Sequence, residues 1–122
     1  MEYGSLGNIT DKISRFGLGC MRLPSFENAD GKKEIDDEEA IKLMRSAIDK
    51  GVNYFDTAYA YGRSEEVVGK ALSGGYREKV ILSTKIPMGS ASSHEDLYRI
   101  FDEQRQRLQT DYIDVYHLHN MN

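Results

Sequence analysis

The sequence is poor in several residues that would mark particular classes of protein. It holds one cysteine, two prolines and no tryptophan among its 122 residues. A single cysteine, Cys20, cannot form a disulfide within the chain, so we predict a reducing, cytoplasmic location. No apolar run is long enough for a signal peptide or a membrane span, and no membrane is therefore expected as a partner.

Positive charge is also in short supply. Sixteen Lys and Arg residues face twenty Asp and Glu residues, which gives a net charge of −4. Nucleic acid is therefore not expected as a partner, because proteins that bind it favour basic patches. Hydrophobic residues make up 39% of the chain and charged residues 30%, values typical of a folded globular protein. The length suits a single domain.

The N-terminal third combines turn residues with short apolar pieces. Gly7-Asn8 predicts the turn of a small β-hairpin, and a strand is expected over residues 15–19. The segment that follows contains Pro24, Asn28 and Gly31, and we interpret it as a polar loop.

Helices and strands then alternate along the chain. Three segments with apolar residues at helical spacing begin with N-terminal signals. These signals are Asp36 with Glu39, Ser64 with Glu65 and Glu66, and Ser92 with Glu95. The strands predicted between and after them read "VNYFDTA", "KVILSTK" and "YIDVYHLH". Such alternation indicates right-handed βαβ units, a parallel sheet and the α/β fold class.

Four titratable side chains follow or end these strands. Asp56 ends the second strand, Tyr61 lies in the loop after it, Lys85 ends the third strand and His119 ends the fourth. Each alone has a structural explanation: a turn cap, a packing aromatic, a solvated lysine and a satisfied histidine. Because the carboxyl ends of parallel strands meet at one rim, the four together predict a site.

This set of groups suits proton transfer to a carbonyl oxygen. A tyrosine is a weak acid that keeps its proton at pH 7, and a nearby ammonium stabilises the phenolate left after proton donation. A carboxylate paired with the lysine would hold the ammonium charged and in place. A neutral imidazole can orient the substrate oxygen by a hydrogen bond.

Several stretches resemble the aldo-keto reductase superfamily. They are "GVNYFDTAYAYGRSEEVVGKAL", "VILSTK", "LQTDYIDVYHLHN" and the N-terminal "MEYGSLGNITDKISRFGLGCMRLP". The similarity runs along nearly the whole sequence. It is greatest to the bacterial branch that often carries a C-terminal iron–sulfur segment, although this sequence has no such cysteine cluster.

The resemblance implies an oxidoreductase on a (β/α)8 barrel that uses NADPH or NADH to reduce a small-molecule carbonyl. It makes Tyr61 the general acid, Lys85 the group that stabilises its phenolate, Asp56 the partner of Lys85, and His119 the residue that orients the carbonyl. It also implies that the cofactor approaches a set of residues near the first two strands. That set is Gly19, Cys20, Met21 and Asp56.

The sequence is too short for a complete barrel of this kind. A (β/α)8 barrel takes about 250 residues, whereas residues 1–122 reach only about the fourth barrel strand and form a single partial domain. We therefore expect a truncated or split reductase, with most of the cofactor site in a C-terminal half. A half-barrel has open sheet edges, so we also expect self-association or pairing with such a half.

Two alternatives remain open. In the first, the chain keeps the motif by descent only, as a non-catalytic half-barrel module. Alternatively, His117 and His119 lie on one face of one strand and could bind metal in a hydrolase, provided that a third ligand such as Asp56 joins them.

Overall fold

The structure is a computed structural model, in which residues 1–119 are described, so the last three residues of the predicted 1–122 domain lie outside the described part. Within it, strands and helices follow one another along the chain in the order predicted for the α/β class. The strands are β1 (Tyr3–Leu6), β2 (Ile9–Ser14), β3 (Leu18–Gly19), β4 (Ser25–Glu27), β5 (Lys33–Ile35), β6 (Tyr54–Asp56), β7 (Ile81–Pro87) and β8 (Val115–His119); the α-helices are α1 (Asp37–Asp49), α2 (Ser64–Leu72) and α3 (His94–Leu108).

A four-stranded parallel sheet forms the centre of the molecule, which confirms the predicted α/β class. Its strands lie in the order β3-β6-β7-β8. The register pairs Gly19 with Asp56, Asp56 with Ser83, and Lys85 with His117. Since each strand step is parallel, the carboxyl ends of all four strands lie at one edge of the sheet.

The hydrophobic core lies between this sheet and the helices. Alternate residues of β6 and β7, Phe55 and Leu82, are fully buried on the helical side. The remaining core residues come mainly from α1 and α2 and include Ala40, Met44, Ile48, Val67, Val68, Ala71 and Leu72. The opposite face of the sheet carries Asp56, Ser83 and Lys85, which bond to one another.

Two antiparallel hairpins flank the sheet. β1 pairs with β2 around the turn at Gly7-Asn8. β4 pairs with β5, so the prediction of a polar loop containing Pro24, Asn28 and Gly31 is wrong at its start, where Ser25–Glu27 forms a strand, whereas Asn28 and Gly31 do lie in the turn between the two strands. The side chain of Asn28 explains this turn, because its Oδ1 accepts hydrogen bonds from the backbone N–H groups of Asp30 and Lys32.

Several predicted boundaries shift. The strand expected over residues 15–19 is shorter, and β7 continues past Lys85 to Pro87. The cap at Asp36 is confirmed, since its Oδ1 accepts from the N–H of Glu39 at 3.2 Å. The cap of α3 lies one residue later than predicted, with Ser93 accepting from the N–H of Asp96.

The predicted cap at Ser64 is wrong. α2 is preceded by Arg63, and no side chain caps it. The Ser64 hydroxyl lies inside the fold instead, where it donates to the carbonyl of Cys20 at 2.6 Å and contacts the Thr57 hydroxyl at 2.7 Å. The Ser64 hydroxyl therefore bonds to these buried partners and not to the N–H groups at the start of α2. Across residues 1–119, none of the helices combines the length and the apolar character that a membrane crossing needs.

Candidate active site

An ion pair between two neighbouring strands forms the centre of the candidate site. Asp56 ends β6, and Lys85 projects from β7 onto the same face of the sheet. The Lys85 ammonium Nζ lies 2.6 Å from Asp56 Oδ2 and donates a second hydrogen bond to the Thr57 carbonyl at 2.8 Å. The side chains are 17% and 32% exposed, so solvent only partly screens the attraction between them.

Tyr61 lies beside this pair on a tight turn between β6 and α2. The Tyr61 N–H donates to the carbonyl of Ala58, and the Tyr61 carbonyl accepts from the N–H of Ser64. Lys85 Nζ lies 5.0 Å from the centroid of the Tyr61 ring. Its phenol group is therefore held next to a fixed positive charge.

His119 completes the group of four residues predicted from the sequence. It ends β8 opposite Pro87. Its ring packs edge-on against that of Tyr61, with the centroids 6.0 Å apart and the planes at 84°. Its Nδ1 atom is buried, and no residue of the described chain bonds to it. The structure thus brings Asp56, Tyr61, Lys85 and His119 to one rim, as the strand ends predicted.

Two tyrosines of the same loop differ in their contacts. The hydroxyl of Tyr59 donates to Glu103 Oε2 at 2.8 Å, and its ring lies 4.2 Å below the guanidinium of Arg107. The bond to Glu103 raises the pKa of Tyr59, because it favours the protonated phenol. Tyr59 thus anchors the loop to α3, which leaves Tyr61 as the phenol beside Lys85.

The residues predicted to approach a cofactor differ in accessibility. Gly19 lies opposite Asp56, and no atom of another residue occupies the space where its Cβ would be. Met21 is 62% exposed, whereas Cys20 is 1% exposed. Burial, and after it the charge of Asp56, raises the pKa of the Cys20 thiol to about 12. Cys20 also uses its N–H and carbonyl inside the fold, in bonds to Asp56 and Ser64.

A cleft opens next to Tyr61. It has a volume of about 610 Å³ and runs between the β3–β4 segment, β5 and the Tyr61 turn. Its lining includes Met21, Leu23 and Ile35 together with the basic side chains Arg22 and Lys33. A small molecule at Tyr61 would therefore extend into a partly apolar and partly basic groove.

Sequence reasoning missed Ser83. Its hydroxyl donates to Asp56 Oδ1 at 2.9 Å, so each oxygen of that carboxylate has one donor from β7. The strand period could have revealed it, because residues two apart on a strand share a face and Ser83 lies two before Lys85.

The sequence places Glu65 in the first turn of α2, as the structure confirms, but its burial was not predicted. Glu65 is fully buried behind the sheet. Its Oε2 accepts from Thr84 at 2.7 Å and from Gln104 at 2.9 Å, and its Oε1 accepts from Arg107 at 3.3 Å. Burial raises its pKa despite these donors. Gln104 also donates to the Lys85 carbonyl at 2.9 Å, so this cluster supports the strand that carries Lys85.

Within the described residues, no third ligand joins the two histidines of the alternative metal site. His117 and His119 lie two residues apart on β8, but the described chain gathers no group of three His, Cys, Asp or Glu side chains able to hold an ion. Asp56, the third ligand considered, is instead bonded to Lys85 and Ser83.

Comparison with known proteins gives one consistent family. A model of the Aldo/keto reductase family matches residues 15–122. The aldo-keto reductase YhdN of Bacillus subtilis is 37% identical over 129 residues, which cover 98% of this chain and 38% of the relative.

Solved structures agree. The thermostable aldo-keto reductase Tm1743, in complex with the inhibitor epalrestat, superposes with a TM-score of 0.82 at 34% identity and covers 100% of this chain and 44% of its own. An aldo-keto reductase from Klebsiella pneumoniae in complex with NADPH gives a TM-score of 0.72 at 34% identity, covering 91% of this chain and 37% of its own. The chain thus spans less than half of the length of these relatives.

Proposed function

Because the chain belongs to the aldo/keto reductase family, we propose that it carries the proton-donating site of an NAD(P)H-dependent oxidoreductase that reduces a small-molecule carbonyl. One observation carries the proposal: the Lys85 ammonium lies between the Asp56 carboxylate, at 2.6 Å, and the Tyr61 ring, whose centroid is 5.0 Å away. This arrangement gives a phenol the neighbour it needs to act as an acid.

Each residue then has one task. Tyr61 donates its hydroxyl proton to the carbonyl oxygen as that oxygen gains negative charge. Lys85 stabilises the phenolate, and Asp56 balances the charge of Lys85. His119, whose ring contacts that of Tyr61, donates a hydrogen bond to the carbonyl oxygen and fixes its direction.

A nicotinamide cofactor fits the residues present. The open backbone at Gly19, the exposed side chain of Met21 and the partly exposed Asp56 would face it, while buried Cys20 holds Gly19 and Met21 in place. When bound, such a cofactor supplies the hydride. The choice of NADPH or NADH, and a larger share of the site, are assigned to a C-terminal half of the enzyme. The NADPH complex of the relative from Klebsiella pneumoniae supports this part of the proposal.

The open edge of the sheet supports a half-barrel that pairs with more protein. On β8 and α3, the side chains of Leu118 and Tyr98 are 73% and 71% exposed. They line an apolar groove of about 350 Å³ with Leu97, Phe101 and Tyr116. We assign this surface to contact with the C-terminal half of a barrel or, without it, with a second copy.

The catalytic assignment is tested by following the oxidation of NADPH with an aromatic aldehyde. Tyr61→Phe is expected to lower kcat at least 100-fold, in line with the loss of a general acid. Tyr59→Phe is the matched control, because it removes a hydroxyl from the same loop that bonds to Glu103 instead. Equal activity in wild type and Tyr61→Phe would refute the role of Tyr61.

A binding measurement separates the enzyme from a non-catalytic module. We expect NADPH to raise the thermal midpoint of the chain, alone or paired with its C-terminal half. If neither form shows a shift or turnover, the non-catalytic alternative holds. Sedimentation tests the pairing surface, and a compact monomer that binds no hydrophobic dye would contradict it.

A further inference from the structure

Ser83 lies at the centre of the candidate site without an assigned role. It is fully buried, and its hydroxyl donates to Asp56 Oδ1 at 2.9 Å. Its carbonyl accepts from the N–H of Thr57 at 2.9 Å. Ser83 therefore bonds both to the side chain of Asp56 and to the backbone just after it.

The Asp56 carboxylate is consequently fixed at both oxygens. Oδ2 accepts from Lys85 and Oδ1 accepts from Ser83. With only one donor, a carboxylate can turn about its Cβ–Cγ bond and offer both oxygens to the ammonium. The Ser83 hydroxyl occupies Oδ1 and keeps the contact with Lys85 at a single oxygen.

The three N–H donors of the Lys85 ammonium show why a contact with only one oxygen of Asp56 matters. An ammonium has three N–H donors. One is used by Asp56 Oδ2 and one by the Thr57 carbonyl. The third has no acceptor within residues 1–119, and Nζ lies 5.0 Å from the Tyr61 ring centroid. That donor is the one left for the phenolate oxygen.

We propose that Ser83 is a positioning residue, which keeps Asp56 on one donor of Lys85 so that another remains for Tyr61. The proposal deepens the reductase function and rests on it for its catalytic meaning. The geometry of the pair, however, is open to measurement in the chain itself.

The neighbouring residue provides a matched control. Thr84 is equally buried, and its hydroxyl also donates to a carboxylate, Glu65 Oε2, at 2.7 Å. It lies on the opposite face of β7. Ser83→Ala and Thr84→Val therefore each remove one buried hydroxyl bond from the same strand, but only the first touches Asp56.

The test is an NMR measurement of proton exchange at Lys85 Nζ in the 122-residue chain. Ser83→Ala should lower the exchange rate about tenfold, because the released carboxylate then takes a further donor of the ammonium, and tenfold is the scale expected for an added hydrogen bond to a charged group. Thr84→Val should leave it within about twofold of wild type, the scale of a contact on the opposite face. Ser83→Cys, similar in size but a weaker donor, should give an intermediate rate and serves if Ser83→Ala does not fold.

The outcomes separate the two proposals. Unchanged exchange in the Ser83 variants, or an equal fall in Thr84→Val, would overturn the positioning role and leave the reductase function standing. A selective fall in the exchange rate in a protein that shows no turnover, even with a C-terminal half, would support the positioning of Lys85 and count against the reductase function.

Discussion

The Lys85 ammonium lies 2.6 Å from the Asp56 carboxylate, although 29 positions separate the two residues in sequence. The contact exists because β6 and β7 are adjacent and parallel, with Asp56 paired to Ser83 in the register. Each side chain is less than a third exposed. A charge in such a place is costly without its partner, because water solvates it only in part.

The first prediction concerns this pair. Asp56→Asn leaves the Lys85 ammonium without its counter-charge, and we expect it to lower the free energy of unfolding by about 2 kcal/mol, between the values for exposed and buried pairs. Adding Lys85→Met to Asp56→Asn removes the ammonium that is left without a counter-charge. The double variant should therefore be more stable than Asp56→Asn alone when both are unfolded in urea. Additive losses would show that the two groups are not coupled.

The second prediction concerns the contact between α2 and α3. A Cβ at Gly69 would overlap the carbonyl oxygen of Arg107 and lie 2.9 Å from Leu108 Cα. Both are backbone atoms, so no side-chain rotation relieves the overlap. We expect Gly69→Ala to lower the free energy of unfolding by about 3 kcal/mol.

Gly89→Ala is the control for Gly69→Ala. Its Cβ would meet no atom of another residue within 4 Å. Urea unfolding followed by circular dichroism should therefore give a curve close to that of wild type. An equal loss in both variants would mean that glycine flexibility, rather than the helix contact, sets the effect.

The sequence was sufficient for the parts of the fold that depend on local patterns. The alternation of apolar runs and capped amphipathic segments predicted the parallel sheet and the helices. The strand ends predicted that Asp56, Tyr61, Lys85 and His119 share one rim, since parallel strands align their carboxyl ends. The cap at Asp36 was also readable, because its partner Glu39 is three residues away.

Features that depend on residues far away in the sequence could not be predicted from local sequence patterns. Glu65 lies in the first turn of α2, as the sequence predicts, but its acceptor atoms meet Thr84 and Gln104, which are 19 and 39 residues away and bury it. Ser64 likewise fits a helix cap until Cys20, 44 residues earlier, provides a better acceptor. Local propensity fails at such positions because tertiary hydrogen bonds decide them.

The third prediction concerns Arg77, which fastens the start of β8 to β7. Its guanidinium donates to Thr110 Oγ1, Asp114 Oδ2 and the carbonyls of Val80 and Tyr112. It also lies 3.9 Å from the centroid of the Tyr112 ring. A lysine cannot reproduce this planar fork. Arg77→Lys should therefore lower the free energy of unfolding by about 2 kcal/mol through unpaired polar groups.

Arg99→Lys tests whether that effect is specific to Arg77. Arg99 is 56% exposed and contacts Asp96 and Glu103 on its own helix. Such pairs contribute little in water, so urea midpoints should hardly change. A comparable loss in both variants would argue against a structural role for the Arg77 fork.

The fourth prediction concerns pH. Hydrogen bonds from Arg63 and then Lys70 lower the pKa of Asp37 from 3.8 to about 2 in the folded chain. Their nitrogen atoms lie 2.8 Å and 3.0 Å from Asp37 Oδ2. The pKa of Asp37 is lower in the folded chain than in the unfolded chain. The ionised Asp37 therefore stabilises the fold at pH values above about 4. This contribution disappears as the pH falls through about 2.

Asp37→Asn should therefore cost about 1 kcal/mol at pH 7, a value reduced for the partial exposure of the pairs. The difference from wild type should stay constant from pH 7 to pH 5 and shrink as the pH falls below 4. Urea unfolding at each pH measures it. Asp11→Asn is the control, because Asp11 is exposed and forms no ion pair within the described chain. If both variants follow the same pH dependence, general charge rather than the contacts of Asp37 controls acid stability.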